Sequence, residues 1–219
     1  MQEKRIVSRD NPAFKHWKKI ARHASRARRK EGLILLEGLH LVAAWQAAGG
    51  RLETLLLSEH GRTHPEIAAW LAQQDENVQC VCLPDPLFAE LADTQTPAGI
   101  LAIVSPPCPE GGPEMDVDTL ALDGIQDPGN LGSLLRVAAA AGFGQVLLSP
   151  GCADAWTPKA LRAGQGAHFQ LAIHPDADLP AFLRAFAGET LATTLAEATP
   201  LHTAAWPPQS ALAWVFGSE

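Results

Sequence analysis

Apolar and polar positions along the chain fall into short strand-like and helix-like runs. Asp10-Asn11-Pro12 reads as a helix start, and Phe14, Trp17, Ile20 and Ala21 follow at helical spacing with basic residues around them. From 33 to 104 the pattern alternates, with strands expected at 33–36, 52–57, 78–81 and 100–104 and helices at about 39–48, 65–74 and 86–91. Residues 105–113 read SPPCPEGGP, too rich in Pro and Gly for regular structure, and mark a linker. A βαβ unit follows: an apolar run at 120–122, a turn carrying Gly124, Asp127, Pro128, Gly129 and Asn130, a helix broken by Gly142 and Gly144, and a strand at 146–148.

In that helix Leu131, Leu134, Leu135 and Ala138 recur at i, i+3, i+4 and i+7 and form the core stripe. Gly132, Ser133, Arg136 and Ala140 fall on another face, so Arg136 points away from the core. Asn130 is the expected cap, which leaves free N–H groups and the positive end of the helix beside the turn, a corner that attracts anions. Further on, Trp156-Thr157-Pro158 opens a short helix, and Gly164 and Gly166 break it before a strand expected at about 169–173. A helix at about 179–187, a strand at about 191–194 and a last strand at 212–216 complete the pattern.

The 219 residues are long enough for two small domains or one large one, and 47% apolar residues supply a real core. No run long enough to span a membrane and no apolar leader is visible, so a cytoplasmic protein is expected. Cys80, Cys82, Cys108 and Cys152 show no C-x-x-C spacing, and Cys80 and Cys82 share one strand face, as suits reduced, half-buried thiols. No metal is expected: His60 and His64 are i, i+4, but Pro65 follows. Charge changes the picture more. Residues 1–30 hold eleven of the seventeen Lys and Arg against two acids, on a chain whose formal net charge is −7. A basic segment on an acidic body suits a polyanion, and Arg26, Arg28, Arg29 and Lys30 form its expected mobile end, facing that partner. Lys159 and Arg162, i and i+3 on the later helix, are expected to hold phosphate as well.

The stretch Asp127-Pro-Gly-Asn-Leu-Gly-Ser-Leu-Leu-Arg136, followed by small residues and Ala-Gly-Phe-Gly, resembles the first motif of the SpoU/TrmH-type RNA ribose methyltransferases of the knotted SPOUT superfamily. Glu37-Gly38 and Thr96-Pro97-Ala98-Gly99, within their flanking apolar runs, are similar to the ribosomal-protein-like substrate-binding domain that precedes the methyltransferase domain in many of these enzymes. Glu37 is also placed to cap the helix that follows it. Pro158, Lys159, Arg162, Gly166 and Ala167 match a third family region, with Gly164-Gln165-Gly166-Ala167 where Ser-x-Gly-Ala is common. The terminal Gly217-Ser218-Glu219 resembles the start of a cofactor loop, after which the family continues with I-P-M and S-L-N segments.

The resemblance implies an α/β fold: a basic arm at 1–30, an RNA substrate-binding domain at 31–105, a linker at 106–115 and a parallel-sheet SPOUT domain at 116–219, expected to be truncated at its C-terminus. It implies S-adenosylmethionine-dependent methyl transfer to a ribose 2′-hydroxyl of structured rRNA or tRNA, with Arg136 and Asn130 catalytic, Gly217, Ser218 and Glu219 on the cofactor, and Arg26, Arg28, Arg29, Lys30, Lys159 and Arg162 on the RNA. It also implies a homodimer at full length. A chain lacking the later segments is expected to bind the cofactor weakly and to be inactive alone, which leaves a non-catalytic RNA-binding protein as the alternative. A nucleotide-binding oxidoreductase is disfavoured because the turn has no G-x-G-x-x-G.

Overall fold

In the strands that build the two sheets of this protein, neighbouring side chains enter different cores. Ile34 and Leu36 point into one apolar cluster and Leu35 into another; Leu55 and Leu57 oppose Leu56 in the same way, and Leu120 and Leu122 oppose Ala121. These runs are apolar without a break because both faces of each sheet are covered. The structure, a computed structural model, describes residues 2–74, 78–194, 198–203 and 210–217.

The N-terminal unit runs β1 (Gln2–Arg5), α1 (Pro12–Arg22), α2 (Ala24–Glu31), β2 (Ile34–Glu37), α3 (Leu39–Ala47), β3 (Thr54–Ser58), α4 (Glu59–Thr63), α5 (Pro65–Leu71), β4 (Gln79–Leu83), α6 (Asp85–Ala89) and β5 (Ile100–Val104). Its mixed sheet has the order β1-β4-β3-β5-β2, with β5 antiparallel to both β3 and β2. Asn11 caps α1 by accepting the Ala13 N–H at 2.9 Å, and Phe14, Trp17 and Ile20 dock against Leu87 and Phe88 of α6 and the sheet. The charges face outward as expected, but several are paired: Arg5 with Glu59 at 2.5 Å, Arg9 with Glu90 at 2.5 Å, and Lys18 with Glu90. The Lys18 ammonium beside Glu90 holds that carboxyl below its usual range.

The C-terminal unit runs β6 (Thr119–Asp123), α7 (Pro128–Ala140), β7 (Gln145–Leu148), α8 (Pro158–Gly164), a 3-10 turn (Ala167–Phe169), β8 (Ala172–His174), α9 (Leu179–Ala185), β9 (Glu189–Ala192) and β10 (Leu212–Gly217). Its sheet is parallel throughout, in the order β8-β7-β6-β10-β9. Phe182 of α9 covers one face, and the other packs on α7. The apolar cluster on that second face continues into the N-terminal unit, where it includes Ile34, Val42 and Trp45.

Several local expectations give way. β1 and α4 stand where no element was expected. The strand expected at 169–173 is the 3-10 turn followed by β8, a turn that buries His168. Glu37 does not cap α3; its carboxylate accepts the Asp93 N–H at 2.8 Å, the Thr94 N–H at 3.3 Å and the Thr94 hydroxyl. Cys80 and Cys82 share a face of β4 but are both buried, not half-buried. Among the described residues no helix is long and apolar enough to cross a membrane.

Candidate functional site

In the parallel sheet β6 leads to β7 and β8 on one side, while β10 and β9 lie on the other, so the strand order reverses between β6 and β10. A crevice opens at the carboxyl ends of strands where the connections diverge. Here it is an open cleft of about 660 Å³, lined by the loop from Gly124 to Asp127, by Asn130, Ser133 and Leu134 of α7, and by Gly217 at the end of β10. The loop leaves β6 through Gly124, whose φ of +64° requires glycine. Its N–H donates to Ser149 Oγ at 3.0 Å, and that hydroxyl donates to Asp123 at 2.7 Å.

The cap of α7 is Asp127, not Asn130. Asp127 Oδ1 accepts the Asn130 N–H at 2.9 Å, Pro128 and Gly129 fill the first helical positions, and Asn130 is the third. An Asx cap one turn earlier leaves the Asn130 side chain exposed on the cleft, with no hydrogen bond among the described residues. Asp127 Oδ2 accepts Lys159 Nζ at 2.5 Å, and this bond, followed by that of the Asn130 N–H, holds the carboxyl below its usual range. Because the folded value is depressed, the cap's contribution is present above the ordinary carboxylate range and is lost as pH falls through the lowered value. Asp127→Ala is expected to lower the thermal midpoint at pH 7 and to leave it unchanged where the carboxyl is protonated; circular dichroism melts at the two pH values check this.

Leu131, Leu135 and Ala138 are buried as expected, and Leu134 is half-buried beside the cleft. Gly132 differs from its expected outer position. It is buried against α8, where a Cβ would fall on the Ala160 carbonyl and 2.7 Å from Ala163 Cβ. Gly132→Ala must push the two helices apart, and a loss of about 2 kcal/mol in urea unfolding is expected.

Arg136 is exposed one turn beyond Ser133, outside the cleft lining, and has no hydrogen bond or ion pair among the described residues. Gly217 lines the cleft, whereas Ser218 and Glu219 lie outside the described residues. Of the cations expected on RNA, Lys159 is paired with Asp127, Arg162 with Asp93 at 2.5 Å, and Arg28 with Asp154 at 3.2 Å. Lys30 is exposed, and the side chains of Arg26 and Arg29 lie outside the described set. Ser133, Gly124 and Gln126 were missed as cleft residues, although each sits within a few positions of the Asp-Pro-Gly-Asn turn. Asp93 and Asp154 gave no sequence signal.

Residues 119–219 match the SpoU rRNA Methylase family, and residues 11–102 match the MRM3-like substrate binding domain. The chain is 32% identical over 219 residues to the Bacillus subtilis 23S rRNA (guanosine(2553)-2′-O)-methyltransferase RlmP, covering 99% of this chain and 83% of that one. It is 39% identical over 158 residues to the zebrafish (Danio rerio) mitochondrial rRNA methyltransferase 3A, which is longer; the match covers 69% of this chain and 35% of that one. The fold is that of the AdoMet-bound rRNA methyltransferase from Sinorhizobium meliloti, with a TM-score of 0.78 at 23% identity, covering 98% of this chain and 81% of that one.

Proposed function

Since the chain belongs to the SpoU rRNA methylase family, we propose that it transfers the methyl group of S-adenosylmethionine to a ribose 2′-hydroxyl of ribosomal RNA. The observation that carries this reading is the cleft where Asn130 of α7 and Gly217 of β10 meet at the strand switch. Its volume and mixed lining, with Ile125 and Leu134 beside Asp127, Asn130 and Ser133, suit a small molecule that is part apolar and part polar. Gly217 and the backbone from Gly124 to Gln126 would hold the cofactor there, with Ser218 and Glu219 continuing from Gly217.

When bound, S-adenosylmethionine supplies an electrophilic methyl on a sulfonium. The residues of this chain have two tasks, to align the hydroxyl and to accommodate its negative charge as the proton leaves. Asn130 presents at the cleft an amide with no hydrogen bond among the described residues and is assigned to the ribose. Arg136 is assigned to the adjacent phosphate and the developing oxyanion, since a guanidinium keeps its proton at neutral pH and is not a base there. The division of labour follows the two units: residues 31–105 hold RNA, 116–219 carry out the transfer, and Lys30 adds charge at the edge of the first. The reading extends to a homodimer working in the cytoplasm, and sedimentation tests the first point.

The experiment incubates the protein with tritiated S-adenosylmethionine and ribosomal RNA. The expected product is one alkali-resistant dinucleotide, the signature of a 2′-O-methyl group. Label in an alkali-labile or base-modified product would overturn the assignment.

A further inference from the structure

Arg28 and Arg162 were expected on RNA, yet each reaches a carboxylate of the other unit. Arg28, on α2 of the N-terminal unit, donates through Nε to Asp154 at 3.2 Å. Asp154 belongs to the loop before α8, where it also accepts the Trp156 N–H at 3.0 Å. Its side chain is 9% exposed and that of Arg28 20%, so this is a largely desolvated pair. Arg162, on α8 of the C-terminal unit, reaches back to Asp93, which sits on the loop that Glu37 clamps. The two pairs run in opposite directions across the joint. Across the same joint the Trp45 ring meets Phe169 edge to face at 5.2 Å, and His40 Nε2 lies 3.3 Å from the Gln165 carbonyl. Gly166, at φ +89°, faces Ala44 so closely that a Cβ would come within 2.9 Å of that methyl. The seam is apolar and tight, and the pairs lie beside it.

We infer that Arg28 and Arg162 are positioning residues: each crosses the joint to an aspartate and fixes where the RNA-holding unit presents a ribose to the cleft. The effect reaches the site through α8, which packs on α7 at Gly132, within the same helix as Asn130 and Arg136. A guanidinium already bound to a buried carboxylate is poorly placed to serve a phosphate as well, because leaving Asp154 unpaired would strand its charge. The inference rests on the proposed methyl transfer for its functional part; the joint itself is measurable without it.

Four charge-removing variants decide the matter: Asp154→Asn, Arg28→Gln, Asp93→Asn and Arg162→Gln, with each pair also combined. Thermal melting, affinity for total ribosomal RNA and methyl transfer at saturating RNA are measured on each. If the arginines position, the aspartate and arginine variants of a pair fall together, by about tenfold in kcat with affinity for RNA changed less than twofold, and the double variant is no worse than either single. If they are phosphate ligands, the signs separate: losing the aspartate frees the arginine and tightens RNA binding, while losing the arginine weakens it, and the inference is overturned. Should wild-type protein methylate no ribosomal RNA, the proposed function fails and the melts still read the joint. Both members of a pair are then expected to split or lower the transition alike, and transitions unchanged from wild type would sink the inference. The more exposed pair, Asp93 with Arg162, serves if the Arg28 or Asp154 variants do not fold.

Discussion

Arg136→Ala is expected to lower turnover 10²- to 10³-fold, the loss of about 3–4 kcal/mol that follows removal of one donor aimed at developing negative charge. Affinity for S-adenosylmethionine is expected to stay the same, because Arg136 lies outside the lining of the cleft. The guanidinium is exposed on α7 and unpaired among the described residues, unlike Lys159, Arg162 and Arg28, so no internal carboxylate has to be displaced before RNA can bind it. It also sits on a well anchored helix, held by Leu131, Leu135 and Ala138 in the core and by Gly132 on α8. Its removal therefore subtracts chemistry and leaves the fold intact. Arg136→Lys keeps the charge and loses the two-pronged donor geometry, and an intermediate rate is expected. Single-turnover methyl transfer with saturating RNA and cofactor separates the chemical step from binding. Turnover within a few-fold of wild type in the alanine variant would remove Arg136 from the assignment.

Periodicity made the frame of this fold readable and its joints unreadable. The alternation in Ile34-Leu35-Leu36 and the spacing of Leu131, Leu135 and Ala138 reflect burial against whole faces, which is a local and repeated constraint. β1 escaped because Gln2–Arg5 is an edge strand of polar residues, held by the parallel ladder to β4 and not by an apolar face. Asn130 lost the cap to Asp127 because both are Asx residues and only the backbone before Pro128 decides between them. The fixed φ of Pro128 at the first helical turn selects the earlier one.

At the site the Asp-Pro-Gly-Asn turn was legible, since its composition is dictated by the turn itself. The partners of Arg28 and Arg162 were not. Asp154 is 126 residues from Arg28 and Asp93 is 69 from Arg162, and no period in either segment refers to the other. Clustered positive charge therefore read as an RNA footprint where the folded chain spends part of it on its own acidic body.

Acidification from pH 6.5 to 4 is expected to remove about 3 kcal/mol of stability through His168. The ring is fully buried at the foot of the joint, stacked obliquely on Trp156 at 5.4 Å, with Nε2 2.8 Å from the Ala155 carbonyl. In the neutral tautomer that fits, Nε2–H donates to the carbonyl and Nδ1 is left buried without a partner among the described residues. A second proton would have to sit on Nδ1, where nothing receives it, and burial pushes the group from its ordinary 6.5 down to about 4, against the opposing pull of the Ala155 carbonyl. Below pH 6.5 the unfolded chain binds this proton and the folded one does not, so stability falls with a slope approaching 1.4 kcal/mol per pH unit until the folded group also titrates. Burial depresses His174 in the same direction and adds to the fall. The carboxylates held low by lysine, such as Glu90 and Asp127, lose their stabilisation only as pH falls through the ordinary carboxylate range, so their part of the fall is confined to the acid end of this window. Urea midpoints at pH 7, 5.5 and 4.5 read the slope directly. His168→Gln, which keeps an N–H for the carbonyl but cannot take up a proton, is expected to flatten it; an equal slope in both proteins would place the titrating group elsewhere. Because His168 fills the space where a Gly164 Cβ would lie and stands next to Phe169 on the Trp45 seam, the first structure lost on acidification should be the docking of α8. Methyl transfer is then expected to fail at a higher pH than the global transition.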